Sequence, residues 1–208
     1  MVPVPGVMFV FLVEDAMKEL REAIEKFGVG IGDNIVKVDS FLNHRIDVAL
    51  SKKMGEDIAA HFAGREIDLV LTVESSGIAV AMMTALALGS IPVVFAKKSQ
   101  SLNVGPDVYT AQVYSFTHQV INSVRVSRNY LPKGAKVLMV DDFLANGAAM
   151  EGMREILRQA ECELVGAAVC VEKGFQAGGN RLRAEGVDLY SLAIVDGIDH
   201  GRIILRDD

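Results

Sequence analysis

Apolar side chains recur along this chain in two rhythms, which mark out helices and strands before any chemistry is considered. Met17, Leu20, Ile24 and Phe27 return every three to four residues, which predicts an amphipathic helix over 15–27 ended at Gly28. Val48, Met54, Ile58 and Phe62 continue that spacing in a second helical segment. DLVLTV (68–73) is a short, bounded apolar run and predicts a central strand, with IPVVFA (91–96) as the next one. Between them GIAVAMMTALALG (77–89) is apolar on every side, the pattern of a deeply buried helix. Residues 108–127 alternate apolar and polar positions in two β-rich runs, VYTAQVYSF and INSVRVS, which predicts an antiparallel hairpin near the sheet edge. KVLMV (136–140), LVGAAVCV (164–171) and VDLYSLAIV (187–195) read as three further strands, the last closing the series. Met150, Met153, Leu157 and Ala160 line one side of a helix between the first two.

Strands alternating with helices imply the α/β class, a mostly parallel sheet flanked by helices on both faces. The chain has 208 residues, half of them hydrophobic, and no repeat, low-complexity segment or linker, so one domain over 1–208 with a sizeable core is expected. Charge then narrows the function classes. A net charge of −6 and a pI near 5.3 speak against general nucleic-acid binding, which needs a basic surface. VMFVFLV (7–13) is too short for a membrane span and has no basic segment before it; 1–13 is expected to be an apolar extension that packs on the surface or on a partner. Cys162 and Cys170 form no CxxC or zinc pattern and are expected as buried, reduced thiols, which suits the cytoplasm. His44, His61, His118 and His200 are scattered without ligand spacing.

Candidate chemistry collects at two strand-to-helix junctions. Glu74-Ser75-Ser76-Gly77 precedes the apolar helix, and Ala145-Asn146-Gly147-Ala148-Ala149 follows the strand that ends in Asp141 and Asp142. In open α/β sheets ligands bind beyond the carboxyl ends of the strands. Helix N-termini there offer unpaired N–H groups, and small side chains let an anion reach them. The plainer alternative is a pair of tight turns with Ser75 or Asn146 as ordinary helix caps. Paired aspartates shift the balance, since their mutual repulsion is costly unless hydroxyls or a metal answer it. No GxxxxGK[ST], GxGxxG or GxSxG occurs, which disfavours nucleotide hydrolysis, a dinucleotide cofactor and a serine hydrolase.

VLMVDDFLANGAA resembles the phosphoribosyl pyrophosphate signature of type I phosphoribosyltransferases. Together with KVDSFLNHRID (37–47), TVESSGIA (72–79), VYSFT (113–117) and VEKGFQ (171–176), it is similar in order and spacing to the bacterial xanthine phosphoribosyltransferases, from about residue 15 to the C-terminus. The resemblance implies the type I phosphoribosyltransferase fold with a small hood around 29–46. It implies that Ala145, Asn146, Gly147, Ala148 and Ala149 wrap the 5-phosphate, that Asp141 and Asp142 hold the ribose hydroxyls, and that Ser75, Ser76 and Gly77 meet pyrophosphate. Val36 and Asn43 of the hood and Lys173 would address the base, Lys173 as a donor to a purine carbonyl. The polar run 97–107 is expected to be a lid whose Lys97 and Lys98 meet pyrophosphate on closing.

The expected reaction is therefore transfer of a phosphoribosyl group to a 6-oxopurine, most of all xanthine, with Mg²⁺ as cofactor, no protein metal ligand assigned, and a cytoplasmic homodimer as the working form. Nucleic acid and membrane are not expected partners. Two rivals are a guanine or hypoxanthine transferase and a non-catalytic sensor of phosphoribosyl pyrophosphate. The stretch before the hood is too short for the winged helix that purine repressors carry.

Overall fold

The computed structural model describes residues 18–98, 107–115 and 120–207. The apolar extension, most of the proposed lid (99–106) and the hairpin tip with His118 lie outside them. A helix over 18–27 (α1) buries Leu20 and Ile24, and the Gly28 N–H closes it on the Ile24 carbonyl at 2.8 Å. Phe27, expected on its buried face, is instead exposed and stands 6.5 Å from the Phe41 ring.

Next comes the hood. Strands β1 (Val29–Ile31) and β2 (Ile35–Lys37) pair antiparallel, and a π-helical turn over Asp39–Asn43 follows, burying Phe41 and Leu42. The Asp47 carboxylate accepts the Leu50 N–H and caps α2 (Val48–His61), satisfying one of the orphan donors of its first turn. Met54 and Ile58 are fully buried, as the spacing requires, whereas Val48 at the helix start is exposed.

One six-stranded sheet carries the rest. It comprises β3 (Leu69–Val73), β4 (Val93–Ala96), β7 (Lys136–Leu144), β8 (Glu163–Lys173), β9 (Leu189–Asp199) and β10 (Arg202–Leu205), in the order β10-β9-β8-β7-β3-β4. All pairs are parallel except β9 with β10. The hairpin is β5 (Val108–Ser115) against β6 (Val120–Ser127), joined to the sheet edge by the bridge between Lys97 and Arg125. Strand β10 adds an element the apolar rhythm missed: it returns from β9 through His200 and Gly201, both at positive φ, the conformation a two-residue hairpin turn demands.

Alternate residues of the central strands enter two cores. Val70, Leu138 and Val140 face one with α1, α2 and α3 (Gly77–Ala87); Leu71, Val137 and Met139 face the other with α4 (Ala148–Gln159) and Leu182 of α5 (Ala177–Ala184). Helix α3 is not buried all round. Val80, Ala81, Thr84 and Ala85 are covered, but Met82 and Leu86 are 54% and 58% exposed, because among the described residues α3 packs against the sheet and α2 and its remaining side is left uncovered. Cys170 is buried, whereas Cys162 is only half-buried, its Sγ 3.4 Å from the Pro132 carbonyl oxygen.

Candidate active site

From β3 the chain runs by α3 to the edge strand β4, then returns to lay β7 on the other side of β3. Connections leaving β3 and β7 therefore diverge, and the crevice between them is where an α/β sheet places its ligand. Both junctions singled out above open there, Glu74–Ser76 after β3 and Ala145–Gly147 after β7.

The second junction is a cradle. Phe143 to Met150 enclose a cavity of about 100 Å³, lined by all five residues from Ala145 to Ala149. Gly147 takes φ +85° as the residue before α4, a left-handed conformation that disfavours any side chain. Asn146 Oδ1 accepts the Ala148 N–H at 3.2 Å, which holds the turn rather than filling the cavity.

Asp141 and Asp142, at the end of β7, are each 7% exposed. Asp142 ties three parts of the site together. Its Oδ1 accepts from Ser76 Oγ at 3.0 Å and its Oδ2 from Asn43 Nδ2 at 3.2 Å, linking it to the first junction and to the hood. The Asp142 N–H also donates to Asp141 Oδ1 at 3.0 Å. Burial, and then the neighbouring Asp142 charge, push the Asp141 carboxyl well above its ordinary range, against which the Lys98 charge pulls weakly. A Cβ on Gly77 would lie 2.3 Å from Thr72 Oγ1 and 2.5 Å from Asp141 Oδ1, so only glycine lets the start of α3 approach the acid this closely.

Ser75 is exposed beside this group, and the Lys98 N–H donates to Glu74 Oε1 at 2.7 Å, which anchors the first residues of the proposed lid to the β3 junction. Lys97 is placed differently: its ammonium lies 5.9 Å from the centre of the Phe95 ring, along a groove at the sheet edge. Lys173 closes the other end of the site, donating to the Asn34 carbonyl in the hood turn at 2.8 Å, with burial lowering its pKa. Val36 is buried in the core it shares with α1, α2 and the sheet, and His61, away from this crevice, stacks on Tyr190 with centroids 4.1 Å apart.

A family model described as "Phosphoribosyl transferase domain" matches residues 37–182, from the hood to α5. The chain belongs to the phosphoribosyltransferase family. Among its relatives, the xanthine phosphoribosyltransferase of Clostridioides difficile (strain 630) is 49% identical over 190 residues, covering 91% of this chain and 100% of that protein. That of Bifidobacterium adolescentis is 51% identical over 183 residues, 88% of this chain and 95% of the relative. Among solved structures, adenine phosphoribosyltransferase from Saccharomyces cerevisiae superposes with a TM-score of 0.70 over 86% of this chain and 99% of the other, at 22% identity. That last likeness bears on the phosphoribosyltransferase fold alone.

Asn34 escaped sequence reasoning, because the contact of its carbonyl with Lys173 is made only by folding. Among the described residues no group of three or more His, Cys, Asp or Glu side chains gathers as a metal cage. Mg²⁺ needs less, because one or two carboxylates and substrate phosphate oxygens complete its octahedron. The buried Asp141–Asp142 pair, with one carboxyl driven toward its neutral form, fits such an ion. Among the described residues no helix is long and apolar enough to cross a membrane.

Proposed function

We propose that this chain transfers the 5-phosphoribosyl group from phosphoribosyl pyrophosphate to xanthine, releasing pyrophosphate and xanthosine 5′-monophosphate, as a cytoplasmic homodimer of one domain per chain. The observation that carries the assignment of parts is the position of Asp142, hydrogen-bonded at once to the Ser76 hydroxyl and the Asn43 amide, beside a small-residue cradle. Sugar, pyrophosphate and base must meet at one point, and Asp142 is where the three corresponding segments of this chain meet. Xanthine as the base rests on the relatives, which are about half identical along nearly their whole length.

In this reading the amides of Ala145–Ala149 take the 5-phosphate, and Asp141 and Asp142 take the ribose hydroxyls, which replace the donors Ser76 and Asn43 that occupy Asp142 in their absence. Ser76, so freed, joins Ser75, Gly77 and the Lys98 charge on pyrophosphate, with Lys97 added on lid closure. A purine nitrogen attacks the anomeric carbon as the bond to pyrophosphate breaks. The leaving group keeps the electron pair, and the proton displaced from the base passes to the departing pyrophosphate. Carboxylates below the ring stabilise the oxocarbenium character of that carbon, so the chain contributes position and charge rather than a covalent nucleophile. Asp141 or Asp142 would hold Mg²⁺, which would neutralise charge on pyrophosphate. Lys173, moving from the Asn34 carbonyl to a purine oxygen, rejects an amino group at that position.

Incubation with phosphoribosyl pyrophosphate, Mg²⁺ and each purine in turn tests this. Xanthine is expected to give the highest kcat/KM, and Lys173→Ala to narrow the preference for oxopurines over adenine. Binding without product from any base would return the protein to the sensor class.

A further inference from the structure

Helix α5 touches the phosphate cradle from behind. A Cβ on Gly178 would lie 2.3 Å from the Ala145 carbonyl oxygen, 2.7 Å from the Gly147 nitrogen and 2.8 Å from the Asn146 carbonyl carbon, so the first turn of α5 lies directly against the cradle backbone. One turn on, Arg181 Nη2 donates to the Asn146 carbonyl oxygen at 3.0 Å, and its Nε stands 3.4 Å from Glu151 Oε1 on α4. The helix is itself fixed to the sheet. Arg183 makes a two-pronged pair with the buried Glu172 carboxylate, at 2.8 and 2.7 Å, and Glu172 immediately precedes Lys173 on β8.

The Asn146–Gly147 peptide is trans, so its carbonyl and its N–H point in opposite directions. Drawing the carbonyl outward to a guanidinium therefore turns the N–H the other way. We infer that Arg181 is a positioning residue for the sugar monoester: by holding the Asn146 carbonyl toward α5 it presents the Gly147 amide to the 5-phosphate, and it keeps that carbonyl's negative end off the anion. Without this anchor the peptide can flip and set an oxygen lone pair against the phosphate. The inference rests on the proposal that Ala145–Ala149 bind the 5-phosphate. It extends that proposal to a residue outside the loop, 35 positions further along the chain.

The competing explanation is a surface ion pair with Glu151, which would contribute little and would not discriminate between ligands. Calorimetry with ribose 5-phosphate and, separately, with pyrophosphate and Mg²⁺ tells the two apart. Arg181→Met is expected to weaken ribose 5-phosphate binding roughly five- to tenfold, the scale of one ordinary hydrogen bond. It should leave pyrophosphate affinity and the melting temperature unchanged. Arg181→Lys should recover part of the loss, as a single-point donor would, and Glu151→Gln should recover or lose nothing. Unaltered ribose 5-phosphate affinity in Arg181→Met, or equal losses for both ligands, would overturn the inference. The underlying assignment has its own readout: in amide NMR spectra of the unaltered protein the Gly147 resonance should move on adding ribose 5-phosphate. If it stays still, the cradle is not the monoester site and both readings fall; if it moves while Arg181→Met binds normally, only the role of Arg181 is lost.

Discussion

Asp142 has two neutral donors on its oxygens and an acid as its neighbour, a balance that one atom can upset. Asp142→Asn keeps the shape but leaves one oxygen where two accepted, so the ribose hydroxyl proposed to bind there loses its partner. Turnover should fall about a hundredfold or more, within the range for removing one preorganised electrostatic contact. The melting temperature should hold or rise, because the Asp142 charge, which adds to burial in raising the Asp141 pKa, is gone. Retained turnover in a folded variant would take Asp142 out of the reaction. A second carboxylate, Asp57 on α2, is 1% exposed and lies away from these ligands. Burial pushes its carboxyl from 3.8 up to about 6, the Tyr190 hydroxyl at 3.1 Å offsetting only part of this, and its Oδ1 has no hydrogen-bond partner among the described residues. Because the folded value is the higher one, its contribution to stability is complete below about 3.8 and is lost as pH rises through about 6. That loss is worth at most roughly 2–3 kcal/mol. Melting curves of Asp57→Asn should therefore fall less between acid and neutral pH than those of the parent; parallel curves would show that Asp57 does not titrate there.

At the scale of elements, the central strands were legible because β3, β7 and β8 are covered on both faces and so read as unbroken apolar runs. Helix α3 was misjudged for a related reason. An apolar composition shows that a helix can be covered all round, not that this chain alone covers it, and Met82 and Leu86 are left bare. Strands β1, β2 and β10 span only three or four residues, too few for a period to declare itself. The cradle and the Asp pair are contiguous in sequence, so their chemistry could be recognised. Contacts from Asn43 to Asp142, 99 residues apart, and from Lys173 to Asn34, 139 apart, could not, since they arise only when the hood closes over the strand ends. The same holds for the pair that fastens α5. Glu172 is 2% exposed while the Arg183 side chain is 37% exposed, and burial, which would raise the Glu172 pKa, is outweighed by hydrogen bonds from Arg183 and Ser191. The two halves of this pair are thus unequal. Arg183→Met strands a buried carboxylate and should cost roughly 3–5 kcal/mol in chemical denaturation, whereas Glu172→Gln leaves a cation that water can reach and should cost about half of that or less. Equal costs would mean that the carboxylate finds another partner.

For the molecule as a whole, the divergence of chain at β3 and β7 decides both where the ligand sits and what remains uncovered. Because α3 leaves β3 toward the edge strand β4, its outer side faces neither the second core nor the hood, and Met82 and Leu86 remain in water. Two large side chains one helical turn apart on an otherwise apolar helix are the kind of surface that a soluble protein buries against a partner. The homodimer proposed above would set a second copy of the same chain there, since an isologous contact presents each α3 to its mate. The helix also starts at Gly77, against Asp141 and Thr72, so an interface on α3 would steady the junction proposed to hold pyrophosphate. Replacing both exposed residues, Met82→Glu with Leu86→Glu, should then convert a dimer into a monomer in sedimentation experiments. It should also raise the KM for phosphoribosyl pyrophosphate more than the KM for xanthine, because the β3 junction loses its support while the hood does not. A variant that remains dimeric would place the interface on another face, and a monomer with unchanged kinetics would separate assembly from the site.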